Sequence, residues 1–125
     1  HVPVRSVAGI SHLTGALGFI VVLANPTGEG AVITMTLAGV AYGMTAGVYP
    51  SAVSLFLGRE SYGRNFAVLL TAWGVAGLTG PTLGGYFFDL TSDYRVSLEI
   101  ACVAAIFALF NAMRLPNTRG PKAGA

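Results

Sequence analysis

Few side chains in this sequence could do chemistry, and most of those that could lie inside long apolar stretches. His12 could bind a proton or a polar ligand; the plainer alternative is a neutral imidazole hydrogen-bonded to a neighbouring helix. Glu99 could carry a proton. Arg95 precedes it by four residues, however, and i,i+4 partners share a helix face, so an ion pair near a helix end is the simpler reading. Cys102 is the sole cysteine, which excludes an intrachain disulfide and a cysteine-based metal cluster. Nucleophilic hydrolysis has no support either, since the chain holds two histidines and neither a G-x-S-x-G nor an H-E-x-x-H pattern. Enzyme activity is not expected, and no cofactor or metal is implied.

What remains is a set of hydroxyls and aromatic rings within the apolar stretches: Thr34, Thr36, Tyr42, Thr45, Tyr49, Ser51, Ser54, Thr71, Trp73, Thr79 and Thr82. In an apolar helix such groups either return a hydrogen bond to a carbonyl one turn back or line a polar path. Among the aromatic residues Tyr42 and Trp73 fall deeper in their stretches and, with Tyr49 and Thr71, are the residues expected to line a substrate pathway. Tyr62, Tyr86, Phe87, Phe88 and Tyr94 lie nearer the stretch ends, where amphipathic rings anchor at membrane interfaces.

Positioning these groups falls to helices long enough to cross a bilayer. Of 125 residues, 54% are apolar and 10% charged, against about 25% charged in average soluble domains; mean hydropathy is +0.68. Five acids and seven basic residues cannot cover a water-facing surface, whereas a lipid-facing one requires none. Nucleic acid is not expected as a partner despite a net charge of +2, because the basic residues are scattered and form no stripe. The intervals 6–28, 30–58 and 65–88, free of Asp, Glu, Lys and Arg, contain 23, 29 and 24 residues. A bilayer core of about 30 Å requires roughly 20 helical residues. A fourth interval, 96–113, has 18 residues interrupted only by Glu99.

Spans are therefore expected at residues 6–25, 31–57, 65–88 and 96–114, separated by turn signals at Asn25-Pro26-Thr27-Gly28, 58–63 and 89–93. The expected fold is an all-α membrane protein of four transmembrane helices within residues 1–115, followed by a polar, disordered tail at 116–125. A secretory signal peptide over residues 1–24 is the rival reading of the first stretch. Leu23-Ala24-Asn25-Pro26 makes a poor cleavage site, and three further apolar stretches follow.

An even number of spans puts both ends on one side. Arg5, Arg59, Arg64, Arg114, Arg119 and Lys122 would share that side, against Arg95 alone among basic residues on the other. The positive-inside rule then assigns both termini and the 58–64 loop to the cytoplasm of a cell in whose plasma membrane the chain resides. Gly39, Gly43 and Gly47 recur every four residues, as do Ala72, Ala76, Gly80 and Gly84. Such stripes are expected to serve close helix packing, and their density suits helices that rock against one another. Pro50 and Pro81 each remove a backbone hydrogen bond within a span.

The segment Gly58-Arg59-Glu60-Ser61-Tyr62-Gly63-Arg64-Asn65-Phe66, followed by Leu70-Thr71-Ala72-Trp73-Gly74-Val75-Ala76-Gly77 and Gly80-Pro81, resembles the oxalate/formate antiporter family of the major facilitator superfamily. Gly84-Gly85-Tyr86-Phe87-Phe88-Asp89-Leu90-Thr91 and Tyr94 resemble the same family's loop before its last helix. The similarity runs from about Pro50 to Tyr94, and the remainder agrees in hydropathy alone. The resemblance implies a twelve-helix transporter in two six-helix halves, of which these would be the ninth to twelfth helices. It also implies a substrate held between the halves near the midplane, with contributions from the second and third spans. Trp73 stands where oxalate-exchanging members carry a lysine, and an uncharged ring cannot pair with an anion as that lysine does. A monocarboxylate such as formate or pyruvate, or an unrelated small solute, is therefore expected rather than a dicarboxylate. Ala67 stands where many members have glycine.

Since the chain starts at His1 rather than Met, it is expected to be the C-terminal part of such a transporter, with lipid, the remaining helices and a small solute as partners. Secondary active transport by alternating access is the expected function of the whole. Arg59 and Arg64 either anchor the loop or pair across the two halves as a cytoplasmic gate, Arg64 more readily because it directly precedes Asn65. Two rivals remain: a complete four-helix exporter like the small multidrug resistance proteins, and a non-transporting membrane scaffold subunit. The first would need a glutamate within its first span, and residues 6–28 contain none.

Overall fold

The computed structural model describes residues 3–116, so the expected disordered tail with Arg119 and Lys122 lies outside the described residues. It contains four α-helices, α1 (Val4–Ala24), α2 (Gly28–Leu57), α3 (Tyr62–Thr91) and α4 (Arg95–Met113). At about 1.5 Å per residue, α1 and α4 match a bilayer core of about 30 Å, while α2 and α3 reach about 45 Å and extend into the headgroup layers.

The helix ends are set by local hydrogen bonding rather than by where charge begins, which is why α2 and α3 outrun their apolar stretches. Thr27 caps α2, its Oγ1 accepting from the Gly30 N–H at 3.3 Å, and Glu29 in the first turn complements the positive end of the helix. Helix α2 stops at Gly58, whose φ of 81° suits glycine. Helix α3 stops at Ser92 in the left-handed region, with its N–H on the Phe88 carbonyl at 2.7 Å. Asp93 Oδ1 then accepts from the Arg95 N–H at 3.1 Å and starts α4. Pro50 and Pro81 both lie within continuous helices.

Helix α1 is the centre of the bundle, packed along α2 on one side and α4 on the other, whereas α3 meets α2 and α4 only lightly. The buried positions are almost all small: Ala8, Ser11, Ala16 and Gly18 on α1, Gly30, Ala41 and Ala52 on α2, Cys102 and Ala112 on α4. Helix α3 has no buried residue. The large apolar side chains point outward instead, among them Leu17, Met35, Leu78 and Phe107. In water each such side chain would forgo roughly 1.5–3 kcal/mol of burial; in lipid it forgoes nothing. Small residues inward and large ones outward is the arrangement in which helices associate by close backbone approach within a bilayer. With all four helices long and apolar enough to cross a membrane, the chain is an all-α integral membrane protein.

The closest approach is between α1 and α2. A Cβ added at Gly18 would lie 3.3 Å from Leu37 Cβ and 3.4 Å from the Thr34 carbonyl oxygen, and one at Gly15 would lie 3.7 Å from Ala41 Cβ. A Cβ at Gly30 would overlap the Asn25 carbonyl oxygen, part of the α1–α2 turn. That obstacle is backbone and cannot rotate away. Gly30→Ala is accordingly expected to lower stability by about 1–3 kcal/mol, the usual cost of overpacking. Gly9→Ala, with nothing within 4 Å, should leave stability unchanged or slightly raised; thermal unfolding in detergent compares the two.

Candidate functional site

Two kinds of polar arrangement emerge inside the apolar bundle, and they divide the residues expected to line a pathway. The first is a seam between α1 and α2. His12 Nε2 and Tyr49 Oη are hydrogen-bonded at 2.8 Å, with the imidazole tautomer deciding which group donates. One turn away, Thr45 Oγ1 lies 3.2 Å from Ser11 Oγ while also donating to its own Ala41 carbonyl at 2.7 Å. Ser11 Oγ donates to the Ala8 carbonyl at 2.9 Å. Further along, Thr34 Oγ1 crosses to the Gly18 carbonyl at 2.8 Å. Tyr49 therefore faces α1 with its hydroxyl engaged, and His12 takes the neighbour-bonded state rather than standing free.

The second arrangement is an aromatic pair between α2 and α3. The Tyr42 and Trp73 rings stack with centroids 5.8 Å apart and an interplanar angle of 25°. Tyr42 stays 65% exposed, so the pair offers ring surface beyond its mutual contact. Both rings lie near the middle of 30-residue helices. Thr71, two residues before Trp73 and so turned to nearly the opposite face of α3, is exposed and donates to the Ala67 carbonyl at 2.9 Å. Thr36, Ser51, Thr79 and Thr82 likewise bond to the carbonyl four residues back, the local satisfaction that helices in lipid demand.

The glycine stripes occupy neither arrangement. Residues advance by about 100° around a helix, so Gly39, Gly43 and Gly47 lie on the face of α2 opposite to Thr34, Ala41, Thr45 and Val48, which contact α1. A Cβ at Gly39, Gly43, Gly47, Gly80 or Gly84 would meet nothing within 4 Å. Among the described residues these stripes thus have open space before them. The glycines in close contact are Gly15, Gly18 and Gly30, on which the sequence reading placed no weight. A signal for Gly15 and Gly18 was present: Ala8, Ser11, Gly15 and Gly18 recur at alternating spacings of three and four, a small-residue stripe that mixes glycine with alanine and serine.

Arg59 and Arg64 sit in and just after the α2–α3 turn, both exposed and without an ion-pair partner among the described residues, where Arg95 Nε to Glu99 Oε1 at 3.1 Å is the salt bridge present. One open cleft beside the turn contains Arg59 and Tyr62; a second contains Arg59, Glu60 and Arg64. Arg5, Arg114 and the two turn arginines all fall at this end of the bundle, because α1 starts and α4 ends where α2 gives way to α3.

The fold defines an all-α integral membrane protein with an aromatic pair at mid-depth and open small-residue faces. Comparison with known proteins gives a transporter as relative. Over 74 residues the chain is 35% identical to a protein described as "Probable multidrug-efflux transporter", found in two strains of Mycobacterium tuberculosis. The match covers 59% of this chain and 16% of that protein, so the chain corresponds to a small part of its relative's length. No protein-family profile matches the chain, and no solved structure matches it. The similarity is thus to a membrane transporter whose description concerns drug efflux and does not mention organic anions.

The strength of the α1–α2 seam can be measured directly. A double-mutant cycle with His12→Phe and Tyr49→Phe should return a coupling of about 0.5–1.7 kcal/mol, the range for hydrogen bonds between membrane helices, read from unfolding in mixed detergent. A coupling of zero would mean that the two side chains do not hold the helices together.

Proposed function

We propose that this chain forms the last four helices of a twelve-helix major facilitator transporter and supplies one wall of a pathway for secondary active transport of a small solute. The observation that carries this reading is the unpartnered α3. A 30-residue helix, free of charge over 65–88, with no buried position, glycine stripes facing open space and a stacked aromatic pair at mid-depth is what a part of a larger bundle presents towards its missing neighbours. The transporter relative, of which the match covers 16%, supports the same reading, as does the resemblance over 50–94. Catalysis has no place in it: the chain's contribution is shape, ring surface and mobility. A scaffold subunit would have no use for exposed rings at the midplane.

In this arrangement Tyr42 and Trp73 face the solute, Thr71 lies on the other side of α3 from the ring pair, and Tyr49 acts one layer back by tying α2 to α1 through His12. Gly39, Gly43, Gly47, Gly80 and Gly84 receive the helices that complete the half. Both ends of the chain and the α2–α3 turn face the cytoplasm, following the arginine distribution.

Two substrate classes fit, and different observations favour them. The loop and third-span resemblance favours a monocarboxylate. The efflux relative, together with an uncharged aromatic pair where an anion would need a cationic partner, favours a larger apolar or aromatic solute, as a drug exporter would take. Liposomes holding the full-length protein separate the two: uptake of labelled formate, oxalate and pyruvate is compared with movement of a lipophilic dye. Trp73→Ala should reduce transport of the true substrate class about tenfold, roughly the loss expected when one aromatic contact of about 1 kcal/mol is removed together with its packing. Unchanged transport by both Trp73→Ala and Trp73→Lys would remove Trp73 from the pathway.

Arg64 in this reading closes the cytoplasmic side by pairing with an acid on the opposite half. Arg64→Gln should then leave the protein folded and inserted but leaky, with solute equilibrating instead of accumulating. Normal accumulation at a normal rate would reduce Arg64 to a headgroup anchor.

A further inference from the structure

Where α2 gives way to α3, an open cleft is lined by Pro50, Ser51, Ser54, Leu55, Arg59 and Tyr62, together with Gly58. Pro50 and Leu55 on α2 form an apolar wall. Arg59 in the turn and Tyr62 at the start of α3 form the polar side. Hydroxyls nearby are spent on the backbone: Ser51 donates to the Gly47 carbonyl at 3.3 Å and Ser61 to the Leu57 carbonyl at 2.8 Å. Ser54 differs, since its hydroxyl, the Tyr62 hydroxyl and the Arg59 guanidinium all lack a hydrogen-bonded partner among the described residues. Tyr62 is held in place by stacking on Phe66, with centroids 5.3 Å apart. Glu60 lines the adjoining cleft with Arg64 and is absent from this one, so Arg59 carries the cleft's charge alone.

Depth determines what meets these groups. Helices α2 and α3 exceed the hydrocarbon core by some 15 Å, which puts the turn between them among the lipid headgroups. A cleft there with one guanidinium, two free hydroxyl donors and an apolar wall matches a singly charged phosphate that carries a hydrocarbon-bearing substituent. We propose that this cleft binds a phosphodiester, with Arg59 as its charge partner and Ser54 and Tyr62 as hydrogen-bond donors to the same phosphate. The guanidinium supplies paired N–H groups in the fork that suits phosphate oxygens. The phosphodiester can come from an anionic phospholipid of the surrounding bilayer or from a soluble molecule of the same chemistry. The site requires only that the chain spans the membrane and is independent of what is transported.

Native mass spectrometry of the full-length protein tests this after delipidation and exposure to equal amounts of phosphatidylglycerol and a phosphate-free galactosyl diacylglycerol with identical chains. The wild type is expected to retain phosphatidylglycerol about tenfold over the galactolipid, the scale of one charge-assisted contact, and Arg59→Gln to hold one phosphatidylglycerol fewer. Ser54→Ala and Tyr62→Phe should each weaken retention a few-fold; both leave the charge untouched and serve if Arg59→Gln does not fold. Soluble glycerophosphoglycerol identifies the source. Displacement of the lipid at millimolar concentration assigns the site to the phosphodiester itself, and failure to displace it assigns the site to the bilayer lipid; either outcome supports phosphodiester binding. Equal retention of the two lipids by the wild type overturns the proposal. So does an equal loss in Arg5→Gln, an arginine at the same end but outside the cleft, because diffuse positive charge would then account for the binding.

Discussion

Close contact between α1 and α2 is the constraint on which the other helix positions depend. Within a bilayer apolar side chains gain nothing by leaving lipid for one another, so helices associate through backbone proximity, dispersion and hydrogen bonds. Gly15 and Gly18 bring α1 against Leu37 and Ala41 of α2, and that proximity lets Thr34 reach the Gly18 carbonyl and His12 reach Tyr49. Helix α4 then closes on the other side of α1, burying Ala112 in the cluster with Ala8 and Val48, while Cys102 is buried further along the same helix. The three helices form one unit, fastened along most of their length.

Helix α3 stands apart from that unit, and the contrast explains where function can reside. Its threonine hydroxyls are spent locally on its own carbonyls, so its membrane-embedded stretch leaves none of them unpaired in lipid. Its main attachment at mid-depth is the Tyr42–Trp73 stack. A helix that is internally satisfied but sparsely packed leaves its faces open to lipid or to further helices. A fastened seam and an open face are two uses of the same apolar helix, distinguished by whether its small residues find a neighbour.

Much of the architecture was legible from residue types because the bilayer imposes so few solutions. Three intervals without charge and a fourth interrupted only by Glu99 gave four helices, with turn residues between them. The ends were less legible: α2 and α3 run past their apolar stretches because capping by Thr27 and the left-handed Ser92 set the stops, and hydropathy does not register hydrogen bonds. Among the candidate site residues, Tyr42 and Trp73 were singled out by depth and the fold brings them together. Tyr49 was grouped with them and instead faces His12, since a helical wheel gives a direction but not the neighbour in that direction.

The sequence by itself determined that the chain is an all-α membrane protein, because 10% charge over 125 residues leaves lipid as the environment its surface can face. It also determined which side chains could act, since only a few polar groups lie at depth. Tertiary structure alone decided which small-residue stripe is an interface. Ala8, Ser11, Gly15 and Gly18 meet α2, whereas Gly39, Gly43 and Gly47 meet open space. Both stripes satisfy the same local rule of spacing. Contact depends on which face of one helix is turned toward another, and that is settled by the packing of the whole bundle.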